Sequence, residues 1–387
     1  MCGSEKLPVK DMHLTTSETS RLQSICRILE EQQLDALIAF NNGQNLFLDA
    51  NAVFVLTGVR PLAESAVVIG RDGISTLIVM PAWDGGRATR ITRSNHVMSS
   101  DDLPAALRDA LRRHRIDPKK CLTTGLQTLG NGLVCRIEAA LGGKPLADKH
   151  LIAELARVRS PEERAAAQRA TEIAERGYER MLEVARPGLR EYELAAELYC
   201  AMKRLGAEDN FLLVSASQHN LAVRAAGNRR LDIGDIILSE ITPCFHGQFA
   251  QLCRTTVIGR PSALLEEKYA VLQAAMRRGQ AAAVPGAAVR DVTAVMDDCF
   301  REAGYGDYCR PPYMRVRGHG LGITSDQPGD ITADSNVKLE EGMIFVMHPN
   351  QYLPETGYLM CGEPVVITRG GAEALSARRA ALDFVPA

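Results

Sequence analysis

The alternation of apolar and polar residues predicts a small α/β domain in the first part of the chain. A first helix is predicted from apolar residues spaced on one helical face, at Leu22, Ile25, Cys26 and Leu29. Strand-like apolar runs follow at residues 36–40, 53–56, 65–69 and 75–79. Helical stretches near residues 102–115 and 130–141 follow these strands, which is typical of an α/β domain.

A second and larger region begins after the Gly-Gly-Lys-Pro segment at residues 142–145. Ser160 precedes a proline and two glutamates, a combination that predicts a helix start, and this helix continues to about Val184. Further helices are predicted at residues 190–204, 263–283 and 289–303, with strands between them and at residues 342–368. We therefore expect one domain at residues 1–148 and another at residues 149–387.

Composition restricts the functions that this chain can have. Its 387 residues suit two domains, and 46% apolar with 24% charged residues is typical of a globular protein. A formal net charge of -2 gives no basic surface for nucleic acid and no reason to expect membrane binding. The first residues lack the apolar core of a secretion signal, so we expect a cytoplasmic protein. Ten scattered cysteines, without zinc-type spacing, indicate reduced thiols.

Six segments of the chain, taken in order, resemble the creatinase/Xaa-Pro aminopeptidase family. They lie at residues 152–163, 186–197, 231–238, 284–292, 318–322 and 342–349. The resemblance implies an α/β fold, with an N-terminal creatinase-like α/β domain followed by a C-terminal pita-bread domain of two curved halves. It also implies a homodimer in which the N-terminal domain reaches the active site of the partner subunit.

Metal-dependent members of this family hold two divalent ions with two Asp, one His and two Glu. By resemblance, this chain has at those five positions Glu240, Gln251, His319, His348 and either Cys361 or Gly362, with Glu363 as the nearest carboxylate. Hard cations require several converging anionic oxygens, so we predict that the chain holds no metal and needs no cofactor. A lone zinc ion on His319, His348, Cys361 and Glu240 stays open, because zinc accepts nitrogen, sulfur and oxygen ligands.

The same positions supply candidate catalytic residues. We predict that His319 and His348 give and take protons near neutral pH, and that Glu240 orients one imidazole or acts as the base. The predicted substrate-binding residues are Gln251, Arg224, Arg60 of the partner subunit, Asp326 and Cys361. An arginine can bind a substrate carboxylate through two parallel hydrogen bonds.

Taken together, these residues predict a metal-independent hydrolase. Its expected substrate is a small carboxylate-bearing amide, amidine or cyclic amino-acid derivative, in which a C–N bond is cleaved. Two alternatives stay open: a metal-free lyase or isomerase that uses the same acid–base pair, and a catalytically inactive binding module of the same fold.

Overall fold

A computed structural model of the chain describes residues 18–44, 47–48, 50–325 and 328–387. The chain divides into two compact units between Arg157 and Val158. The helix Leu151–Leu155, which follows our expected boundary at residue 148, belongs to the first unit, where its apolar side chains are buried. Within the described residues, no helix combines the length and the apolar character needed to cross a membrane.

The N-terminal unit is built on one six-stranded sheet. Its helices are α1 (Glu18–Glu31), α2 (Ala52–Thr57), α3 (Gly85–Ile91), α4 (Leu103–Arg113), α5 (Asn131–Leu141) and α6 (Leu151–Leu155). Its strands are β1 (Ala36–Asn41), β2 (Ser65–Gly70), β3 (Ser75–Val79), β4 (His96–Ser99), β5 (Cys121–Thr124) and β6 (Leu146–Ala147). The sheet order is β4-β3-β2-β1-β5-β6, and the three central strands β1, β2 and β3 pair antiparallel.

The predicted strand at residues 53–56 is wrong, because this segment lies in helix α2. The helix begins after Asn51, whose side-chain oxygen accepts a hydrogen bond from the Phe54 backbone N–H at 2.9 Å. It ends at Gly58, which adopts the left-handed conformation with a φ of 73°. Capping at both ends therefore overrides the strand preference of the β-branched residues between them.

The C-terminal unit consists of two helix pairs and two main sheets. Its helices are α7 (Pro161–Val184), α8 (Glu191–Arg204), α9 (Ala263–Ala282) and α10 (Val289–Glu302). Its strands are β7 (Asp209–Ser217), β8 (Ile236–Phe245), β9 (Gln248–Phe249), β10 (Leu252–Ile258), β11 (Gly318–Gly320), β12 (Ile344–Met347), β13 (Gln351–Leu353), β14 (Gly357–Leu359), β15 (Glu363–Thr368), β16 (Gly371–Ala374) and β17 (Leu382–Val385). The predicted helix start at Ser160 is confirmed, since a reciprocal capping box joins Ser160 and Glu163.

Each helix pair packs with a sheet, which gives the two halves expected of a pita-bread domain. The first sheet has the order β17-β10-β8-β7, with β9 beside β8, and the second has the order β11-β12-β15-β16. Helices α7 and α8 share an apolar core with β7 and β8, whereas α9 and α10 share a larger core with β12 and β15. A separate hairpin of β13 and β14 lies between the two strands β12 and β15 in sequence.

Candidate active site

Glu240 lies in the middle of strand β8, within the first sheet of the C-terminal unit. It pairs directly with Cys253 of β10, and side chains at directly paired positions share one face of a sheet. Burial raises the pKa of the Glu240 carboxyl from 4.5 to about 7. The carboxyl can therefore exchange a proton near neutral pH, which an ordinary glutamate does not do.

Cys253 connects this strand to the region that carries His348. Its backbone N–H donates to the Gly362 carbonyl at 3.1 Å, and the Gly362 N–H donates back to the Cys253 carbonyl at 2.9 Å. A Cβ atom added to Gly362 would lie 2.7 Å from the Cβ atoms of both Cys253 and His348. The side chains of Glu240, Cys253 and His348 therefore lie around one space on the same side of the strands.

His319 and His348 form a pair of imidazoles at this space. Their ring centroids lie 5.2 Å apart, with an edge-to-face arrangement. His319 Nδ1 lies 2.8 Å from the Gly320 carbonyl oxygen, which can only accept, so Nδ1 carries the proton. The structure thus pairs two of the three residues that we predicted to be catalytic, and a catalytic role for His319, His348 and Glu240 stays a prediction.

Both imidazoles are neutral at pH 7 in this environment. Burial lowers the pKa of His319, and burial together with the neighbouring His319 lowers the pKa of His348 to about 3. The Nδ1 atom of His348 is buried and has no hydrogen-bond partner within the part of the chain that the structure describes. A buried nitrogen of this kind indicates a position where a bound molecule or a water completes the hydrogen bonding.

Gln251 lies directly before strand β10 and two residues before Cys253, so its side chain faces the same side as that of Cys253. Its side chain is fully buried, and its Nε2 atom lies 3.7 Å from the Cys253 sulfur. The Oε1 atom of Gln251 is buried and makes no hydrogen bond to any described residue. This carboxamide oxygen is therefore available to accept a hydrogen bond from a substrate N–H group.

Asn350 and Tyr358 also belong to this site, although no sequence pattern marks them. The Asn350 side chain lies near Cys253 and Tyr358, and its Oδ1 atom accepts from the Cys361 backbone N–H at 2.9 Å. Burial, together with the nearby Cys253 and Glu240, raises the pKa of Tyr358. Tyr358 is therefore a neutral hydroxyl donor next to the Glu240 carboxyl.

The remaining predicted residues lie elsewhere. Cys361 is 1% exposed and packs in the apolar core, where burial raises the pKa of its thiol to about 12. The Arg224 side chain is exposed, in a loop between β7 and β8. Arg60 lies in the N-terminal unit, with its guanidinium 5.0 Å from the Phe54 ring centroid. Asp326 lies outside the described residues. A substrate-binding role for each of these four residues stays a prediction.

The residues at the family's metal positions do not fit a centre for two divalent ions. Among the described residues, no three His, Cys, Asp or Glu side chains are grouped closely enough to hold an ion. Gly362 has no side chain, and the Glu363 carboxylate is already bound by Arg379 and by the Ala380 backbone N–H. Hard divalent cations need more converging oxygens than Glu240 alone supplies.

Comparison with known proteins identifies the family. The sequence profile of Metallopeptidase family M24 matches residues 165–369, more than half of the chain, and the chain belongs to this family. A similar relative is the Xaa-Pro dipeptidase of Pyrococcus furiosus, 29% identical over 229 residues. That match covers 58% of this chain and 65% of the relative, slightly less than two thirds of its length. The probable dipeptidase PepE of Mycobacterium tuberculosis is 25% identical over 351 residues, covering 81% of this chain and 92% of that protein.

Solved structures show the same fold. The X-Pro aminopeptidase of Thermotoga maritima has a TM-score of 0.81 at 22% identity, covering 94% of this chain and 99% of that chain. The Xaa-Pro dipeptidase of Bacillus anthracis also has a TM-score of 0.81, at 20% identity, covering 95% and 100% of the two chains. The expected creatinase/Xaa-Pro aminopeptidase resemblance and the pita-bread fold are thereby confirmed.

These comparisons contradict the predicted metal-independent hydrolase. The family that matches is one of metallopeptidases, and its similar members are named as Xaa-Pro dipeptidases and dipeptidases. The metal-free lyase or isomerase is contradicted by the same finding. The donor residues at the site do not by themselves decide the class of reaction. Family membership and the donor set of this chain disagree at the site.

Proposed function

We propose that this protein hydrolyses the peptide bond of a dipeptide or of a similarly small substrate. Membership of Metallopeptidase family M24 supports this proposal, as do relatives that are named as dipeptidases. The observation that carries it is the Glu240 carboxyl, which lies on the strand position paired with Cys253 and whose pKa burial raises to about 7. A carboxyl with this pKa can act as a base and as an acid within one reaction cycle.

The chain's own residues can move the proton that hydrolysis requires. Ionised Glu240 accepts a proton from water as the water oxygen forms a bond to the substrate carbonyl carbon. Protonated Glu240 then gives this proton to the leaving nitrogen as the C–N bond breaks. The electron pair of the C–N bond stays on nitrogen, so the products are one carboxylic acid and one amine.

The other residues bind and orient the substrate in this scheme. Gln251 Oε1 accepts from a substrate N–H group, and neutral His348 offers a buried ring nitrogen. The neutral Tyr358 hydroxyl donates toward the carbonyl oxygen on which negative charge develops. Because both imidazoles are neutral, the site repels neither a charged amine nor a carboxylate through them.

The test is an assay of dipeptide hydrolysis, in which the release of free amino acids is measured. The panel of dipeptides includes those with proline at the second position. Each assay is run with the protein as purified, after chelation with EDTA, and with added Mn²⁺ or Co²⁺. We expect Glu240→Gln to lower kcat/KM by about 10²- to 10⁴-fold, the range for loss of a general acid–base group. Glu266→Gln, at an exposed position in the first turn of α9, is the matched control and should keep full activity. An absence of hydrolysis in every assay would overturn the proposal.

We also propose that the protein forms a homodimer in the cytoplasm, with Arg60 of each subunit serving the site of the other. The family resemblance supports this arrangement. Size-exclusion chromatography with light scattering should give twice the chain mass of 42.1 kDa. Arg60→Ala should raise KM more than it lowers kcat, because a residue that binds substrate uniformly affects KM. A monomer with an unchanged KM would contradict both statements.

A further inference from the structure

The N-terminal unit contains a cavity of about 520 Å³ that the proposed hydrolysis does not use. Residues of β3, of the edge strand β4, and of the C-terminal ends of α3 and α4 line it. Pockets that bind small molecules have volumes of roughly 300 to 1,000 Å³. The cavity is therefore large enough for a small organic molecule.

Its lining is positively charged and rich in hydroxyl groups. Arg113, His96 and His114 line it, and so do the hydroxyls of Thr76, Thr92 and Ser94. Among the lining residues that the structure describes there is no Asp or Glu. The Arg113 guanidinium therefore has no acidic partner among the described lining residues. The charge indicates an anionic ligand.

The imidazoles of His96 and His114 lie side by side, and a hydrogen bond holds that of His114 in place. Their ring centroids lie 5.9 Å apart. His114 Nε2 lies 2.8 Å from the hydroxyl of Thr76, a strand residue that is only 2% exposed. Because Thr76 occupies Nε2, the second ring nitrogen of His114 is the one left for a ligand. A donor that is already oriented loses less conformational freedom on binding.

A second observation concerns the hydroxyl group of Ser94, one of the residues that line the cavity. Its hydroxyl oxygen is buried and makes no hydrogen bond within the described part of the chain. Its backbone N–H, by contrast, is satisfied by the Thr92 hydroxyl at 3.0 Å. Buried hydroxyls without a partner are uncommon in folded proteins, so this one is suited to a bound group that lies in the cavity.

We propose that this cavity binds a phosphate group, either free or carried by a small organic molecule. The planar guanidinium of Arg113 presents paired N–H groups that match two phosphate oxygens. The imidazoles and hydroxyls add more donors than the two oxygens of a carboxylate can use, whereas a terminal phosphate has three.

The test is isothermal titration calorimetry on the full chain, with inorganic phosphate, glycerol phosphate, adenosine monophosphate and succinate as separate ligands. We expect phosphate compounds to bind more tightly than about 10 mM, and Arg113→Gln to weaken that binding at least tenfold. Arg108→Gln, an exposed arginine on the same helix outside the cavity, is the matched control and should bind normally. Thr76→Val should also weaken binding, and Arg113→Lys should restore part of it.

The relative affinities distinguish the sources of the phosphate. Tighter binding of glycerol phosphate or adenosine monophosphate than of inorganic phosphate assigns the site to an organic phosphate, and the reverse assigns it to the free ion. Equal binding of succinate would overturn the proposal in favour of a general anion site. Equal phosphate affinity of Arg113→Gln and Arg108→Gln would overturn it too, provided that circular dichroism shows both variants folded.

Discussion

Glu240→Gln should make the protein more stable at neutral and alkaline pH. Burial raises the pKa of this carboxyl from 4.5 to about 7 in the folded protein, whereas the unfolded chain titrates near 4.5. Between these two values the folded protein keeps a proton that the unfolded chain has lost. The free energy of unfolding therefore falls as pH rises through this window, and the full penalty applies above pH 7. Glutamine carries no charge and does not incur this penalty.

The size of the effect follows from the two pKa values. At 1.36 kcal/mol for each pH unit, the difference between 4.5 and about 7 corresponds to about 3 kcal/mol above pH 7. Below about pH 4.5 the carboxyl is protonated in both states, so the variant should have almost no advantage there. The low pKa of His348 adds a loss of stability in acid, which is common to both proteins.

The measurement is urea unfolding of the parent protein and of the Glu240→Gln variant from about pH 4 to about pH 8, with far-UV circular dichroism as the signal. Tryptophan fluorescence is unsuitable, because the one tryptophan of the sequence, Trp83, lies in the other unit and is 76% exposed. Glu266→Gln is the control and should stay within about 0.5 kcal/mol of the parent at every pH. A Glu240→Gln difference that did not change with pH would refute the reasoning, since only an altered proton equilibrium makes it pH-dependent.

Two further predictions concern packing around the site. Gly362→Ala should lower the free energy of unfolding in urea by about 1 to 3 kcal/mol, because the new methyl group would overlap two Cβ atoms at 2.7 Å. Gly370→Ala is the control, and it should change the free energy of unfolding little because its closest contact would be 3.7 Å. Equal effects of the two would contradict the steric argument. Asp297→Ala should lower the free energy of unfolding by about 3 to 5 kcal/mol, because it leaves the fully buried Arg317 without its carboxylate partner at 2.7 Å. Asp298→Ala is the control: it removes an exposed ion pair and should lower the free energy of unfolding by less than about 1 kcal/mol. Equal melting temperatures for Asp297→Ala and Asp298→Ala would show that the buried ion pair of Asp297 and Arg317 contributes nothing to stability.

Sequence patterns predicted the parts of the fold that local chemistry decides. The start of α7 was predictable because a serine, a proline and two glutamates act within one turn of the chain. Strands β1 and β2 were predictable because every residue in each is buried and the runs are apolar. Helix α2 was not, because its interior favours a strand and only the caps at Asn51 and Gly58 decide otherwise.

The site was predictable where the family motifs place a residue, and not where strand pairing does. The order of the motifs selects Glu240, His319 and His348; the structure pairs the two imidazoles with ring centroids 5.2 Å apart, and the catalytic roles of all three stay predictions. The sequence left Cys361 and Gly362 as alternatives for one position, and the pairing of Gly362 with Cys253 places residue 362 beside His348. Asn350 carries no motif, since its role depends on partners distant in sequence that only the folded strands bring near.

The cramped glycine at position 362 also limits the evolutionary routes that are open to this protein. A side chain introduced there meets the Cβ atoms of Cys253 and His348, so we expect each such substitution to be destabilising while both neighbours are unchanged. A change at one of those neighbours that makes room would lower this cost. The residues tolerated at position 362 therefore depend on the substitutions that residues 253 and 348 already carry.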